Sequence, residues 1–167
     1  LIIPEGQILG IVGVNGSGKT TLLKLMIGYF NQDQGHILYK GQHIKNVRNQ
    51  LKREIGFSAQ ESSFYPKLTV EENVSYFGSL YGLGSHEIVE HTERALAFLD
   101  LLPFRHQISS ELSGGMQRRL EMACSIVHDP KLLILDEPTE DLDPVLRRDI
   151  LRLIKRLNKL GTTVVIT

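Results

Sequence analysis

Very little in this sequence points to a framework of covalent cross-links or of one-signed charge. One cysteine, Cys124, occurs in 167 residues. No disulfide can therefore close within one chain, and a small buried side chain on an apolar-periodic helix is the expected role for it. Nineteen Lys and Arg are matched by nineteen Asp and Glu. There is no surplus positive charge to grip a phosphate backbone, and no nucleic-acid partner is expected. No apolar run approaches the roughly 20 residues a membrane-crossing helix needs, and no signal peptide is expected at the start. Linkers, repeats and low-complexity tracts are missing as well. What remains is a length that suits one domain with its own core.

Glycine, by contrast, is concentrated where it carries meaning. Gly13-Val14-Asn15-Gly16-Ser17-Gly18-Lys19-Thr20 has the spacing G-x-x-x-x-G-K-[ST], led in by a strand-like run from Gln7 to Val14. That is the pattern of a P-loop, or Walker A. Its glycines let the backbone curl so that successive N–H groups face one phosphate chain. The helix starting near Gly18 aims its partial positive end at the same place. Gly13, Asn15, Gly16, Ser17, Gly18, Lys19, Thr20 and Thr21 are the candidate phosphate contacts. Lys19 can reach the β- and γ-phosphates and the Thr20 hydroxyl can bind Mg²⁺.

Leu132-Leu133-Ile134-Leu135-Asp136-Glu137-Pro138 is an apolar run ending in two carboxylates. It reads as a short buried strand, whose functional end lies at the carboxyl edge of a parallel sheet. Asp136 is placed to hold Mg²⁺ and Glu137 to polarise an attacking water. Between the two motifs, Leu112-Ser113-Gly114-Gly115-Met116-Gln117 opens a helix running to about Val127. Ser113 is a good N-cap, and Gly114 and Gly115 let a ligand approach the backbone. It is a second helix start suited to an anion.

With that segment the chain resembles the ATP-binding domain of an ABC transporter. The motifs stand in the family's order: Walker A at Gly13–Thr20, a Q-loop glutamine at Gln60, the signature at Leu112–Gln117, Walker B at Leu132–Glu137 and a D-loop at Glu140–Asp143. The resemblance implies an α/β P-loop NTPase fold. It has a mainly parallel sheet, an antiparallel β portion and a helical subdomain at about 61–112, within a domain spanning 1–167. It implies an ATPase using ATP and Mg²⁺, with Glu137, Lys19 and Gln60 as catalytic groups and Thr20, Gln60 and Asp136 around the metal. ATP on one subunit's Walker A would be closed by Ser113, Gly114 and Gly115 of a second ABC ATPase subunit, so a homo- or heterodimer is implied. A multi-span membrane subunit would dock near Gln60–Pro66, placing the protein on the cytoplasmic face of the membrane. The run from Phe64 to Asn73 is similar to ABC-2-type and multidrug exporter ATPases, which implies export. Non-transport ABC ATPases of translation, DNA repair or iron–sulfur assembly are the alternative. Repair ATPases usually carry large inserts where this chain has a compact one.

Measured against the family, both ends read as cut. An adenine-stacking aromatic is expected upstream of Leu1 and a switch histidine just after Thr167, so neither is assigned here. The D-loop also departs from the usual Ser-Gly-Leu-Asp, reading Glu140-Asp141-Leu142-Asp143. These carboxylates are expected either to repel their mates across a dimer seam or to turn to solvent or to Arg147 and Arg148.

Between the motifs, a hairpin is expected over Gly35–Ile44, a strand over Arg53–Ala59, and a helix from the capping box at Thr69–Glu72 to about Tyr81. Further helices are expected from Ser85 to about Leu102 and after the Asp143-Pro144 cap, the latter showing Arg147, Arg148, Arg152 and Arg156 to solvent. Phe64 and Tyr65 read either as an exposed aromatic docking pair or as rings packed under the helices. His86 and His91 do not share a helix face and are not expected to bind zinc. Nor is calcium expected at Glu140–Asp143.

Overall fold

The computed structural model describes residues 1–61 and 63–167. Ser62, inside the expected docking loop, lies outside the described residues. The chain runs β1 (Ile8–Gly10), α1 (Lys19–Met26), β2 (Leu38–Tyr39), β3 (Gln42–His43), α2 (Arg48–Glu54), β4 (Ile55–Ser58), α3 (Val70–Tyr81), α4 (Ser85–Phe98), α5 (Gly114–Ile126), β5 (Leu132–Leu135), α6 (Pro144–Lys159) and β6 (Thr163–Ile166). A four-stranded parallel sheet has the order β1-β6-β5-β4, and β2 and β3 form an antiparallel hairpin. This is the α/β arrangement the motifs imply.

Each inner strand is buried on both faces, as parallel strands between helix layers are. Leu133, Leu135 and Val164 enter one apolar cluster with α3, α4, α5 and α6. Ile134 and Val165, the alternate positions, enter the other, with Leu23, Ile44, Leu51 and Ile55. Helix α5 lies so close to β4 that a Cβ on Gly56 would stand 2.1 Å from the Ser125 carbonyl oxygen. Cys124 is buried on this helix, and burial pushes its thiol pKa up, so it stays protonated and unreactive.

The helix starts follow their caps. Thr69 accepts from the Glu72 amide while the Glu72 carboxylate accepts from the Thr69 amide. Ser113 accepts from the Met116 amide, and Asp143 accepts from Val145 and Leu146 with Pro144 in the first turn. The apolar side of α6 buries Ile150, Leu153, Ile154 and Leu157, and Arg147, Arg148, Arg152 and Arg156 are exposed as expected.

Several boundaries differ from expectation. The first strand stops at Gly10 rather than Val14. β1 lies at the sheet edge, and beyond the bond from the Ile11 amide to the Ile166 carbonyl the chain peels off into the phosphate loop. Arg53 and Glu54 end α2 instead of opening β4. The Glu54 carboxylate is held there by the Tyr39 hydroxyl and Lys40 ammonium, both at 2.7 Å, and by Gln50 at 3.1 Å. α4 ends at Phe98, because Asp100 adopts φ +58° and Leu102–Phe104 turns into a short 3-10 helix carrying Pro103.

Phe64 and Tyr65 divide between the two readings, docking pair and packed rings. The Phe64 ring is buried in the larger apolar cluster, whereas Tyr65 is exposed and meets the ring of Tyr76 edge-on at 5.0 Å. Fully buried Asn73 holds this loop in place. Its Oδ1 accepts from the Tyr65 amide at 2.7 Å, and its Nδ2 donates to the Tyr65 and Thr69 carbonyls at 3.0 Å and to Ser109 Oγ at 2.8 Å. The loop's ring and backbone are thus both anchored against α3.

Candidate functional site

Register brings the motifs together. Gly10 pairs with Ile166, Ile166 with Leu135, and Leu135 with Ser58, so four strands end in one row. The chain leaves that row as the glycine loop, Thr167, the Asp136-Glu137 pair and Gln60. Residues from Gly13 to Thr167, 154 positions apart in sequence, share one edge for this reason, and open α/β sheets bind ligands at such an edge.

The glycine loop is built to leave backbone amides free. Gly16 and Gly18 take φ +81° and +92°, values that L side chains rarely adopt. A Cβ on Gly13 would stand 2.6 Å from Ser17 Oγ, so that position is held by close approach rather than by φ. Gly18 occupies the N-cap of helix α1 in the left-handed region, with no side-chain cap. The first helical bond runs from the Leu22 amide to the Gly18 carbonyl at 2.9 Å, leaving the amides of Lys19, Thr20 and Thr21 ahead of it without intrahelical partners. Residues 12–18 are exposed, Asn15 and Ser17 among them. Free amides at an uncapped helix start suit a phosphate.

Lys19 folds back over this loop. Its Nζ donates to the Gly13 carbonyl at 3.0 Å and pairs with Glu137 Oε1 at 3.1 Å. Glu137 itself takes φ +49°, a left-handed conformation uncommon for a residue with a Cβ. Thr167 holds the strand end beneath it. The Thr167 hydroxyl donates to buried Asp136 Oδ1 and accepts from the Glu137 amide, both at 2.8 Å.

Gln60 reaches the same carboxylate from β4. Its Nε2 donates to Glu137 Oε2 at 3.2 Å and to Glu140 Oε2 at 2.8 Å. Glu140, half-buried, therefore meets Gln60 rather than Arg147 or Arg148. Asp141 is exposed, at φ +57°.

The donors present suit a hard cation: the Thr20 hydroxyl, the Gln60 amide oxygen and the Asp136 carboxylate are all oxygen atoms. Among the described residues no cluster of three His, Cys, Asp or Glu could hold a metal alone. Such a partial oxygen set matches Mg²⁺, which keeps waters and phosphate oxygens as ligands. His91 Nδ1 is instead engaged with the Val127 carbonyl at 2.8 Å.

Ser113, Gly114 and Gly115 sit on a different part of the surface network. Among the described residues no hydrogen bond ties them to the loop at 13–20. Gly115 packs against α6 instead: a Cβ there would lie 2.9 Å from Leu146 Cδ2. Thr167, Glu140 and Asn73 are contributors that motif reading passes over. Only Glu140 carried a signal, as a departure from the usual D-loop.

Comparison with known proteins follows the same lines. A family profile described as ABC transporter matches residues 1–140. The linearmycin resistance ATP-binding protein LnrL of Bacillus subtilis is 36% identical over 165 residues, covering 99% of this chain and 53% of that protein. The spermidine/putrescine import ATP-binding protein PotA of Bacillus cereus is 37% identical over 164 residues, covering 98% of this chain and 50% of that one. The chain spans about half the length of these curated relatives. Among solved structures, cbiO1 of Clostridium perfringens, part of the ABC transporter complex cbiONQ, superposes with a TM-score of 0.88 at 30% identity over 99% of this chain and 68% of its own.

Proposed function

This chain belongs to the ABC transporter family, and on that premise we propose that it binds and hydrolyses ATP to energise transport, in the export direction, through a separate membrane subunit. The observation that carries the reading is the convergence of an uncapped glycine-led helix, Lys19, Gln60 and the Asp136-Glu137 pair on one sheet edge. The amides of Gly16 and of Gly18 to Thr21 would receive the phosphates, that of Ser17 being already given to the Val14 carbonyl at 3.1 Å. Lys19 would exchange its Gly13 carbonyl and Glu137 partners for β- and γ-phosphate oxygens. Glu137, released from that ion pair, would then orient a water and take its proton. Thr20, Asp136 and Gln60 would offer oxygen atoms to Mg²⁺. When bound, Mg²⁺ supplies charge neutralisation at the phosphate oxygens.

Ser113, Gly114 and Gly115 would act on the nucleotide of a second ABC ATPase subunit, which accounts for the absence of bonds to this chain's own loop. Residues 61–112 are proposed as the helical subdomain. The loop following Gln60 would meet the membrane subunit, and Tyr65 with Tyr76 supplies an exposed aromatic surface there. That association places the protein at the cytoplasmic face of the membrane. Export rests on the likeness of Phe64–Asn73 to exporter ATPases and on LnrL being a resistance protein. PotA, an import protein, matches at a similar identity, so identity alone does not choose the direction.

The full-length protein, co-expressed with a multi-span membrane protein encoded beside it, is expected to purify as a complex with Mg²⁺-dependent ATPase activity. In proteoliposomes with the ATPase outward, substrate should accumulate inside. Absence of ATP hydrolysis in the intact complex would overturn the reading, and movement of substrate out of the vesicles would overturn the direction.

A further inference from the structure

We propose that Glu140 is a positioning residue that holds the Gln60 side-chain amide in place beside Glu137. The proposal rests on the ATPase reading above for its catalytic part, while the contact itself belongs to the protein without nucleotide. The Gln60 NH₂ group has two protons, and each is taken by a carboxylate: Glu140 Oε2 at 2.8 Å and Glu137 Oε2 at 3.2 Å. The shorter bond goes to Glu140, 80 residues away in sequence. Both are charge-assisted, the stronger kind of hydrogen bond.

The placement of Glu140 is itself determined. Its amide donates to the Glu137 carbonyl at 3.1 Å, closing a turn that starts from the left-handed backbone of Glu137. That turn returns the Glu140 carboxylate to the side of the site where β4 delivers Gln60. A small residue at this position, as in the usual D-loop, could not reach.

The consequence follows from the shape of a primary amide. Its nitrogen only donates and its oxygen only accepts. With both N–H groups committed to carboxylates, Oε1 is left as the one atom of Gln60 to offer a cation, and the amide cannot turn over without losing two charge-assisted bonds. Glu137 has a second partner in Lys19, and our reading has Lys19 leave it for phosphate. Glu140 has no such obligation and can keep hold of Gln60 throughout. It thus fixes which face of the glutamine the metal and water meet. The same bond joins the D-loop to the Q-loop within one chain.

The test uses the full-length protein in two states. Without nucleotide, ¹⁵N NMR reads the Gln60 side-chain NH₂ pair, assigned by its loss in Gln60→Ala. Glu140→Ala should move that pair to the position of solvent-exposed glutamines, and Glu140→Gln, which keeps an acceptor oxygen, should leave it near its original place. With Mg-ATP, Glu140→Ala should lower kcat about tenfold with KM for ATP within about twofold, and Glu140→Gln should recover most of it. In the Gln60→Ala background, Glu140→Ala should cost nothing further, because its effect passes through Gln60. An NH₂ pair unmoved by Glu140→Ala, or losses that multiply in the double variant, would overturn the proposal. A wild-type protein without ATPase activity would instead overturn the functional reading, and the NMR result would still decide whether Glu140 holds Gln60.

Discussion

Lys19 Nζ stands 3.1 Å from Glu137 Oε1, so a proposed phosphate-binding cation and a proposed general base neutralise one another before any nucleotide arrives. On the proposed reading ATP would have to displace the protein's own carboxylate from Lys19. Glu137 would then behave as an internal competitor for the ammonium, and the same exchange would deliver the two groups to their proposed tasks.

Replacing Lys19 by Ala should weaken Mg-ATP binding about 10- to 100-fold, since a hydrogen bond to a charged group contributes on the order of 1.5–3 kcal/mol. Titration with a fluorescent ATP analogue measures this. An unchanged affinity would remove Lys19 from the nucleotide site.

Glu137→Gln separates binding from chemistry. Losing the charge at Oε1 frees Lys19, so ATP should bind at least as tightly as in the wild type. Turnover should fall by about 10²–10⁴, the usual contribution of a general base. The variant should also accumulate as an ATP-dependent dimer on size-exclusion chromatography. Wild-type turnover in this variant would exclude Glu137 as the base.

Asn73 lies wholly inside the protein and joins the Tyr65 loop, Thr69 and Ser109. Asn73→Ala would leave several of those groups buried without partners, at about 2–3 kcal/mol. Thermal unfolding should show a drop of roughly 4–12 °C for a chain of this size. Asn73→Asp should fare no better, because it keeps the acceptor for Tyr65 but loses every donor. Equal melting temperatures for all three proteins would contradict this role.

Acid stability should depend on Glu54. Hydrogen bonds from Lys40 and then Tyr39 lower its carboxyl from the ordinary 4.5 to about 2. A lowered folded-state value stabilises the protein fully above the unfolded value and loses that contribution as pH falls towards the folded one. The melting-temperature gap between wild type and Glu54→Gln should therefore be constant from pH 7 to about 5. It should close progressively between about 4.5 and 2. A gap that widens on acidification would reverse the sign and refute the assignment.

Local chemistry carried most of what was readable in advance. The glycine spacing at 13–20, the Thr69–Glu72 capping box and the Asp143-Pro144 start each state their geometry within a few residues, and each forms at its expected place. Helix α2 was hidden because its seven residues, about two turns, bury only Leu51, too little for a periodic pattern to show, and Arg53 was drawn into the strand that follows. The fate of Phe64 and Tyr65 turned on Asn73, a polar residue in an amphipathic helix that looks like surface until the loop folds onto it. The bond from Gln60 to Glu140 depends on the sheet register and on a left-handed residue at 137, neither of which any local pattern announces.

A methyl group on Gly115 would stand 2.9 Å from Leu146 Cδ2, so the leucine side chain would have to give way. Helix α5 begins at the signature and α6 just after the D-loop, so the two starts touch through this glycine and leucine. On the proposed reading both starts would face a second subunit, so a residue larger than glycine at position 115 would be felt at the signature and at the D-loop together.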